Sequence, residues 1–466
     1  METKLQVTMK CPPPLDPTFV PASLWNRRYQ EEVRKSGRSR EMRLALVRSE
    51  DSVSVHTTKV LPDTPEFARI NLIYAERLIK FLLWQKGGGR LLLAGAPELA
   101  KTLAAMYAPK GARGFDCVFL GKKVYGKNLE VLECPLEKLP AEREPSLALG
   151  RHLDGCRIGF DLGGSDRKCA AVVDGEVVFS DETAWSPYFE SNPDYHYSGI
   201  MDSLRKAAAH LPKVDAIGGS AAGVYVDNEV RAASLFRGVS EKDFDEKIRR
   251  LFHRIGKEWG VPLVVVNDGE VTALAGSMAM GDNAVLGISM GTSLAAGFVT
   301  EAGNITTWLN ELAFTPVDYR DDAPPDEWSG DIGCGVQYFS QQAVGRLAPK
   351  AGLEFKSEMP LPEKLVEVQK RMAAGDERAA RIYETVGICF GYALAHYHDF
   401  YSFRNLLLLG RVMSGEGGSL IIKAAERTLA EEFPTTAAAV KIRTPDEREK
   451  RHGQAVAAAS LPAVSR

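Results

Sequence analysis

Residues 157–178 read RIGFDLGGSDRKCAAVVDGEVV, and the pattern of this stretch decides the fold. An apolar strand leads into a polar glycine-rich turn, a second apolar strand, and an Asp-Gly turn before a third strand. Gly163 and Gly164 let the backbone bend tightly because they carry no Cβ. Successive N–H groups in such a turn suit phosphate oxygens, with Asp161 before the turn and Ser165 within it. Taken alone, the stretch is equally compatible with a hairpin that binds no ligand.

A second copy of this pattern lies at residues 286–305, LGISMGTSLAAGFVTEAGNI. The order is again strand, glycine turn with hydroxyl residues, strand and glycine turn. Three pairs of equivalent positions keep one constant offset along the chain: Asp161 and Ser289, Gly163 and Gly291, and Gly175 and Gly303. A repeat at domain spacing indicates a duplicated lobe. We therefore expect a nucleotide phosphate chain to be held between the two copies.

The length and composition indicate an ordinary soluble protein of two or three domains. The chain has 466 residues, 45% of them hydrophobic and 26% charged, which is ample for several cores. A net charge of −3 gives no general attraction to nucleic acid or to a membrane. Seven cysteines without a CxxC pair are typical of reduced thiols. No apolar run approaches membrane-spanning length, so we expect a cytoplasmic location and no membrane partner.

Residues 1–150 are predicted to form an accessory α/β domain, for which the sequence indicates no role. Residues 1–40 are polar and rich in proline, so little regular structure is expected there. The segments 43–48 and 53–60 predict a hairpin, and 64–86 predicts a helix with one apolar face. Residues 135–153, with three prolines, have the composition of a linker.

One further position could carry chemistry. Residues 261–266 are an apolar strand that ends at Asn267 and Asp268. In α/β sheets, side chains at the carboxyl ends of strands bind ligands, and a carboxylate there could accept a proton from a substrate hydroxyl. The alternative is that the two residues only cap the helix that follows. The local sequence leaves both interpretations open.

The order of these motifs resembles the ROK family of sugar kinases and sugar-responsive repressors, part of the actin-like ATPase superfamily. The order is strand–DLGGS, SAAG, apolar strand–ND, MGTS, and strand–G before a glycine-rich helix start. The resemblance covers about residues 155–460. It implies an α/β fold of two ribonuclease-H-like (actin-like ATPase) lobes that close over ATP. The first lobe would comprise residues 155–268 plus the C-terminal helix 446–460, and the second residues 269–445.

The resemblance also implies roles for particular residues. Phosphates and Mg²⁺ would be held by Asp161, Gly163, Gly164 and Ser165, with Asp161 as the metal ligand. Gly291 and Thr292 would form the second phosphate turn, and Gly410 would lie near adenosine. The sugar would contact Asn267, Glu311 and Gly223, and Asp268 would be the catalytic base.

The sequence departs from the ROK pattern at several positions. ROK kinases usually carry a Glu-x-Gly-His segment and a cysteine-rich zinc loop. The corresponding segment here begins with Glu311 and ends with Phe314, and only Cys334 remains of the cysteines. The second phosphate turn reads GTSLAAG where GTGxGG is usual, and Arg411 stands where a second glycine is common. We therefore expect a changed sugar pocket, and an altered nucleotide site remains an open alternative.

The first hypothesis is an ATP-dependent kinase for a hydroxyl of a hexose or related sugar. A sugar-sensing ROK regulator is the second, but the front segment predicts strands and not a helix-turn-helix, so nucleic-acid binding is not favoured. An activator ATPase with an iron–sulfur cluster would need paired cysteines, which are absent. A non-catalytic sugar- or nucleotide-binding protein is the remaining alternative. Whether the chain forms a homodimer, as many ROK proteins do, is left open.

Overall fold

The computed structural model describes residues 5–144, 149–444 and 447–464. Its strands form three sheets of four or five strands and one two-stranded hairpin. Within those ranges, none of the helices combines the length and apolar character that crossing a bilayer requires. The seven cysteines are free thiols.

The first sheet belongs to the N-terminal region and has the strand order β2-β1-β3-β4. Strands β1, β2 and β3 are antiparallel, and β4 runs parallel to β3. The elements are α1 (Ala22–Ser36), β1 (Arg40–Ser49), β2 (Ser52–Val60), α2 (Ala68–Lys86), β3 (Arg90–Ala94), α3 (Pro97–Met106), α4 (Gly114–Asp116), a π-helical stretch (Cys117–Val124) and β4 (Glu130–Glu133).

Helix α1 corrects the expectation of little structure in residues 1–40. Trp25, Tyr29 and Val33 recur at helical spacing and are buried, and the helix ends at Gly37 with φ of 63°. Its apolar side packs on α2 and on a helix of the C-terminal half. The expected linker is also not free, because Arg143 forms a backbone bridge with Val53 of β2. Residues 145–148 of that segment lie outside the described residues.

The second sheet has the strand order β11-β8-β5-β6-β7. Strands β5, β8 and β11 are parallel, whereas β6 and β7 are antiparallel to their neighbours. The elements are β5 (Cys156–Leu162), β6 (Asp166–Val173), β7 (Glu176–Ala184), α5 (Pro193–Ala208), β8 (Ala216–Ala221), the hairpin β9 (Val224–Val226) and β10 (Glu229–Ala232), α6 (Glu241–Asp243), α7 (Leu251–Trp259), β11 (Leu263–Asn267) and α8 (Asp268–Met280).

The third sheet has the strand order β13-β12-β14-β15, with only β13 antiparallel to its neighbour. The second sheet has a third strand, β7, after its first hairpin. At the equivalent position the third sheet has only one antiparallel β-bridge, between Val299 and Ile305. The elements are β12 (Val285–Met290), β13 (Leu294–Val299), α9 (Gln341–Lys350), α10 (Leu361–Ala373), α11 (Glu377–His398), β14 (Asn405–Leu409), α12 (Glu416–Glu432), α13 (Pro434–Ala439), β15 (Lys441–Arg443) and α14 (Glu447–Ala459).

Two helices lie between the second and third sheets. Helix α8 packs on β12 and β13, whereas α14 packs on α8 and on β5 and β8. The fit is close because Gly159 and Gly218 face the backbone carbonyls of Ala455 and Ala458, where a Cβ would collide. The C-terminal helix therefore returns to the second sheet, and the chain leaves β11 directly into a helix that rests on the third.

The repeat is present in the structure with one change. Leu162 pairs with Arg167 across the first glycine turn, so residues 163–166 form the connection. Met290 pairs with Leu294 across the second, so the connection there is residues 291–293. The constant offset thus holds through the first strand of each copy, but the second turn is one residue shorter.

Candidate functional site

Two carboxylates lie at the carboxyl edge of the second sheet. Asp161 belongs to the end of β5, and Asp268 follows the end of β11, with β8 between these parallel strands. Burial, together with a smaller contribution from the nearby Asp161 carboxylate, raises the pKa of Asp268 to about 6. Burial likewise raises the pKa of Asp161, an effect that the Ser220 hydroxyl on β8 opposes. Asp268 is thus mostly ionised at neutral pH yet close to the range of a general base.

Asn267 links the start of α8 to Gly223, the residue before the β9–β10 hairpin. Its Oδ1 accepts the Gly269 N–H at 2.7 Å, and its Nδ2 donates to the Gly223 carbonyl at 2.7 Å. Gly223 has φ of 133° and is crowded by Ala232, so a side chain would be strained there. The structure therefore brings Asn267, Asp268 and Gly223 together, and the capping interpretation of Asn267 is correct. Whether its amide also contacts a sugar stays a prediction.

Glu311 lies near Asp268 although it comes from the segment after β13. Burial and, to a smaller extent, the Asp268 carboxylate together raise the pKa of Glu311 to about 7. Its backbone N–H donates to the Trp84 carbonyl of α2 at 3.0 Å. The Asp268 carboxylate therefore interacts with two others, Asp161 and Glu311, and like charges gathered in this way are typical of functional sites.

A fourth carboxylate, Glu270, was not predicted from the sequence. It is 4% exposed, accepts the Phe298 N–H at 3.2 Å, and accepts a short hydrogen bond from the Asn310 side chain. Burial raises the pKa of Glu270 to about 8, so it is largely protonated at neutral pH. Its position two residues after Asp268, in the first turn of α8, was the only signal in the sequence.

The first glycine turn is held by a segment that follows β7. The Gly163 N–H donates to the Asp166 carbonyl at 2.9 Å, and the Trp185 indole donates to the Gly163 carbonyl at 2.8 Å. The Tyr188 hydroxyl occupies the place that a Cβ on Gly164 would take. Ser165 is exposed and donates to Asp166 at 2.8 Å. The space left by the missing Cβ of Gly164 is thus occupied by the Tyr188 side chain and not by a ligand.

The second glycine turn is more open. The Gly291 N–H donates to the Ser293 carbonyl at 2.9 Å, and the Gly291 carbonyl accepts the Gln341 N–H at the start of α9. A Cβ on Gly291 would meet only the Ser293 carbonyl, at 3.8 Å, and Thr292 is exposed. This turn therefore has room for a ligand to approach its backbone.

Gly410 packs behind that turn. Its φ is 101°, and a Cβ would collide with the backbone of Met290, the last residue of β12. The segment after it borders a groove of about 440 Å³ between that segment and α10, lined by Glu363, Leu365, Gln369, Lys370, Arg411 and Ser414. Arg411, which borders the groove, directly follows Gly410, the residue to which the resemblance assigns adenosine.

A magnesium ion fits the donor set around Asp161. In the parts of the chain that the structure describes, no group of three or more His, Cys, Asp or Glu side chains could hold a metal ion by itself. Mg²⁺ is usually bound by one or two carboxylates together with phosphate oxygens, and not by a cage of protein ligands. Asp161, a half-buried carboxylate beside the first glycine turn, matches this preference.

The fold is similar to solved structures of ROK proteins. A ROK hexokinase from Thermus thermophilus is 17% identical, with a TM-score of 0.51, over 65% of this chain and 96% of the hexokinase. A ROK transcriptional regulator, a homologue of the E. coli MLC protein, is 19% identical, with a TM-score of 0.53, over 66% of this chain and 79% of the regulator. A Streptomyces griseus ROK glucokinase, solved with glucose and AMPPNP, is 19% identical with a TM-score of 0.46.

No protein-family model matches the sequence. No curated protein matches it either. At these levels of identity the solved structures establish the fold, and they include a kinase and a regulator. The fold that the motif resemblance implied is confirmed: the chain shares its fold with these solved ROK proteins.

Proposed function

We propose that the protein catalyses the ATP-dependent phosphorylation of a sugar hydroxyl, on a hexose or a related carbohydrate, with Asp268 as the general base. The observation that carries this proposal is the setting of Asp268 at the junction of the two lobes. It is half-buried, has no ion-pair partner within the described residues, and has a pKa raised to about 6. Phosphoryl transfer requires such a base beside the acceptor hydroxyl.

The reaction follows from this placement. The acceptor hydroxyl gives its proton to the Asp268 carboxylate while its oxygen bonds to the γ-phosphorus of ATP, and the bond from that phosphorus to the bridging oxygen breaks to release ADP. Asp161 would hold Mg²⁺, whose charge neutralises phosphate oxygens. Glu311 and the amide of Asn267 would orient the other hydroxyls, and Gly223 would let the sugar approach the backbone.

The nucleotide would lie across the two glycine turns. The turn at Gly163, Gly164 and Ser165 would face one end of the phosphate chain, and the turn at Gly291 and Thr292 the other. Adenosine would lie in the groove bordered by Arg411 and Ser414, next to Gly410. Because Asp268 opens α8, which rests on the third sheet, movement of one lobe toward the other would bring the base, the acceptor and the phosphate together and exclude water.

The experiment that tests this function is ADP release from Mg·ATP across a panel of hexoses, amino sugars and polyols. We expect at least one sugar to stimulate release, and Asp268→Asn to reduce the stimulated rate by about 100-fold or more. Asp245→Asn, at an exposed carboxylate on the α6–α7 segment, is the matched control. If no sugar stimulates release, the kinase proposal fails.

A non-catalytic sugar-binding protein is the second candidate. Two observations favour it, the Tyr188 hydroxyl seated on Gly164 and the shortened second turn. Calorimetric titration separates the candidates, since this alternative predicts sugar binding without ATP binding or turnover. A DNA-binding regulator has less support, because the described N-terminal residues 40–133 are built around a β-sheet.

A further inference from the structure

The N-terminal region contacts both lobes beside the proposed sugar site. Its apolar core includes Val224, which directly follows Gly223, and Leu309, which precedes Glu311 by two residues. Both side chains are 8% exposed. The solved ROK structures align with about two-thirds of this chain, so a large part of it has no counterpart in them. A region of unassigned role therefore lies against the segments that carry two of the proposed sugar contacts.

The end of α2 holds the Glu311 segment by its backbone. The Glu311 N–H donates to the Trp84 carbonyl at 3.0 Å, and the Asn310 N–H donates to the Gln85 carbonyl at 2.9 Å. Asn310 has φ of 51°, an uncommon conformation for a residue other than glycine. Two consecutive hydrogen bonds to one helix end therefore fix the direction in which the Glu311 side chain leaves the backbone.

The Trp84 side chain holds the same segment from a second side. Its ring, which is fully buried, stacks on Phe314 with centroids 4.2 Å apart. Its indole N–H donates to Asp116 at 3.0 Å, which fixes the ring in its plane. Phe314 stands where the ROK pattern has a histidine, so the aromatic contact belongs to this chain's own version of the pocket.

The other end of the following loop is fixed by the same helix. Lys80, one helical turn before Trp84, is fully buried between the carboxylates of Asp116 and Asp331. Arg113 also binds Asp331. Because residues four apart lie on one face of a helix, a single face of α2 holds both Phe314 and Asp331. An ion network thus anchors the loop in which the ROK pattern would place zinc ligands.

We propose that the N-terminal region is a working part of the sugar site, in which Trp84 is the positioning residue for Glu311. This inference rests on the proposed function. The region forms a third wall beside the two lobes, and the stacking of Trp84 on Phe314 keeps the Glu311 carboxylate aimed at the acceptor. Small displacements of such a group weaken binding and orientation of the acceptor and leave nucleotide binding untouched.

The test compares Trp84→Ala with Trp84→Phe in the full chain, using the sugar that gives the highest turnover. Trp84→Ala should raise the KM for sugar by about 10-fold or more, with the KM for ATP unchanged. Trp84→Phe should recover the KM for sugar to within about 3-fold, because a phenyl ring can still stack on Phe314. Phe314→Leu removes the same contact from the other side and should raise the KM for sugar by a similar factor. It therefore provides the test if Trp84→Ala fails to fold.

The control is Leu103→Ala, which opens a cavity in the same N-terminal core on α3. It should lower Tm without raising the KM for sugar. The proposal is overturned if Leu103→Ala raises that KM as much as Trp84→Ala, or if folded Trp84→Ala and Phe314→Leu leave it unchanged. Wild-type protein that neither binds nor phosphorylates a sugar would overturn the proposed function as well, whereas normal turnover with unaffected variants would overturn this inference alone.

Discussion

The Asp161 carboxylate on β5 adds to the burial that raises the pKa of Asp268, although Asp268 follows a different strand, β11, and β8 lies between the two strands. The parallel direction of these strands brings both side chains to one edge of the sheet. If Asp268 is the base, kcat must fall as it becomes protonated. We expect an acidic limb with an apparent pKa at or below about 6, the lower values arising when a cation on Asp161 offsets its charge. A pH profile of kcat with saturating sugar checks this. A limb above pH 7 would contradict it.

Glu311 should make the ligand-free protein less stable as pH rises. Its folded-state pKa of about 7 exceeds the ordinary value of 4.5, so the folded chain binds the extra proton between these two values. Stability is therefore lost from about pH 4.5 to 7 and stays low above that range. Glu311→Gln should remove the Glu311 contribution to this slope, leaving those of Asp268 and Glu270, and raise the free energy of unfolding at pH 8 by about 1 kcal/mol or more. Urea titrations at pH 5 and pH 8 measure the difference. An unchanged slope in the variant would refute the assignment.

Gly291 and Gly410 should respond in opposite ways to alanine. Gly410→Ala forces a side chain onto the Met290 backbone at a positive φ and should cost about 2 kcal/mol or more in stability. Gly291→Ala meets only the Ser293 carbonyl at 3.8 Å and should cost less than about 1 kcal/mol. The KM for ATP should nevertheless rise in Gly291→Ala, because the methyl group would fill the open turn. Thermal unfolding and ATP titration of the pair provide the comparison, and a stable Gly410→Ala would be inconsistent with the packing.

Gly164 should be coupled to Tyr188. Gly164→Ala places a methyl group where the Tyr188 hydroxyl lies, so the ring must move, at a cost of about 1–3 kcal/mol. In a chain that already carries Tyr188→Ala the same change should cost little. A double-mutant cycle of unfolding free energies measures the coupling. Additive effects would mean that the tyrosine leaves the turn easily.

The loop after Phe314 should not depend on zinc. We expect metal analysis of purified protein to find little zinc, and chelators to leave Tm unchanged. Asp331→Asn should lower Tm by several degrees, because it removes one carboxylate from a buried network with Lys80 and Arg113. Asp321→Asn, on the exposed part of the same loop, is the control. A large loss of Tm on chelation would show that the loop is held by metal instead.

The part of the site that could be predicted lies in locally ordered motifs. Asp161 and Asp268 end apolar strands, and the carboxyl edge of a parallel sheet is common to many folds, so strand order alone brought them together. The duplicated glycine turns could also be predicted, because each lies in a short, continuous stretch of sequence. The sequence did not show that the second turn is one residue shorter than the first. The residues GTS are compatible with a turn of three or of four residues, and only the pairing of Met290 with Leu294 fixes the length.

The remainder depends on contacts between distant parts of the chain. Trp84 and Phe314 are 230 positions apart in sequence, and nothing near either residue indicates the other. Tyr188 reaches Gly164 through a loop with no repeating pattern. Helix α1 could have been predicted, since its buried residues recur at helical spacing. The prolines up to Pro21 indicated irregular structure, but they all precede the first turn of the helix.

The central claim is tested most directly by following the γ-phosphoryl group of labelled ATP. With the stimulating sugar, wild-type protein should transfer the label to the sugar in proportion to the ADP formed. Asp268→Asn should bind the same sugar with similar affinity by calorimetry and transfer about 100-fold less label. Label that appears only as inorganic phosphate, or transfer that survives in Asp268→Asn at the wild-type rate, would contradict the assignment of Asp268 as the base of a sugar kinase.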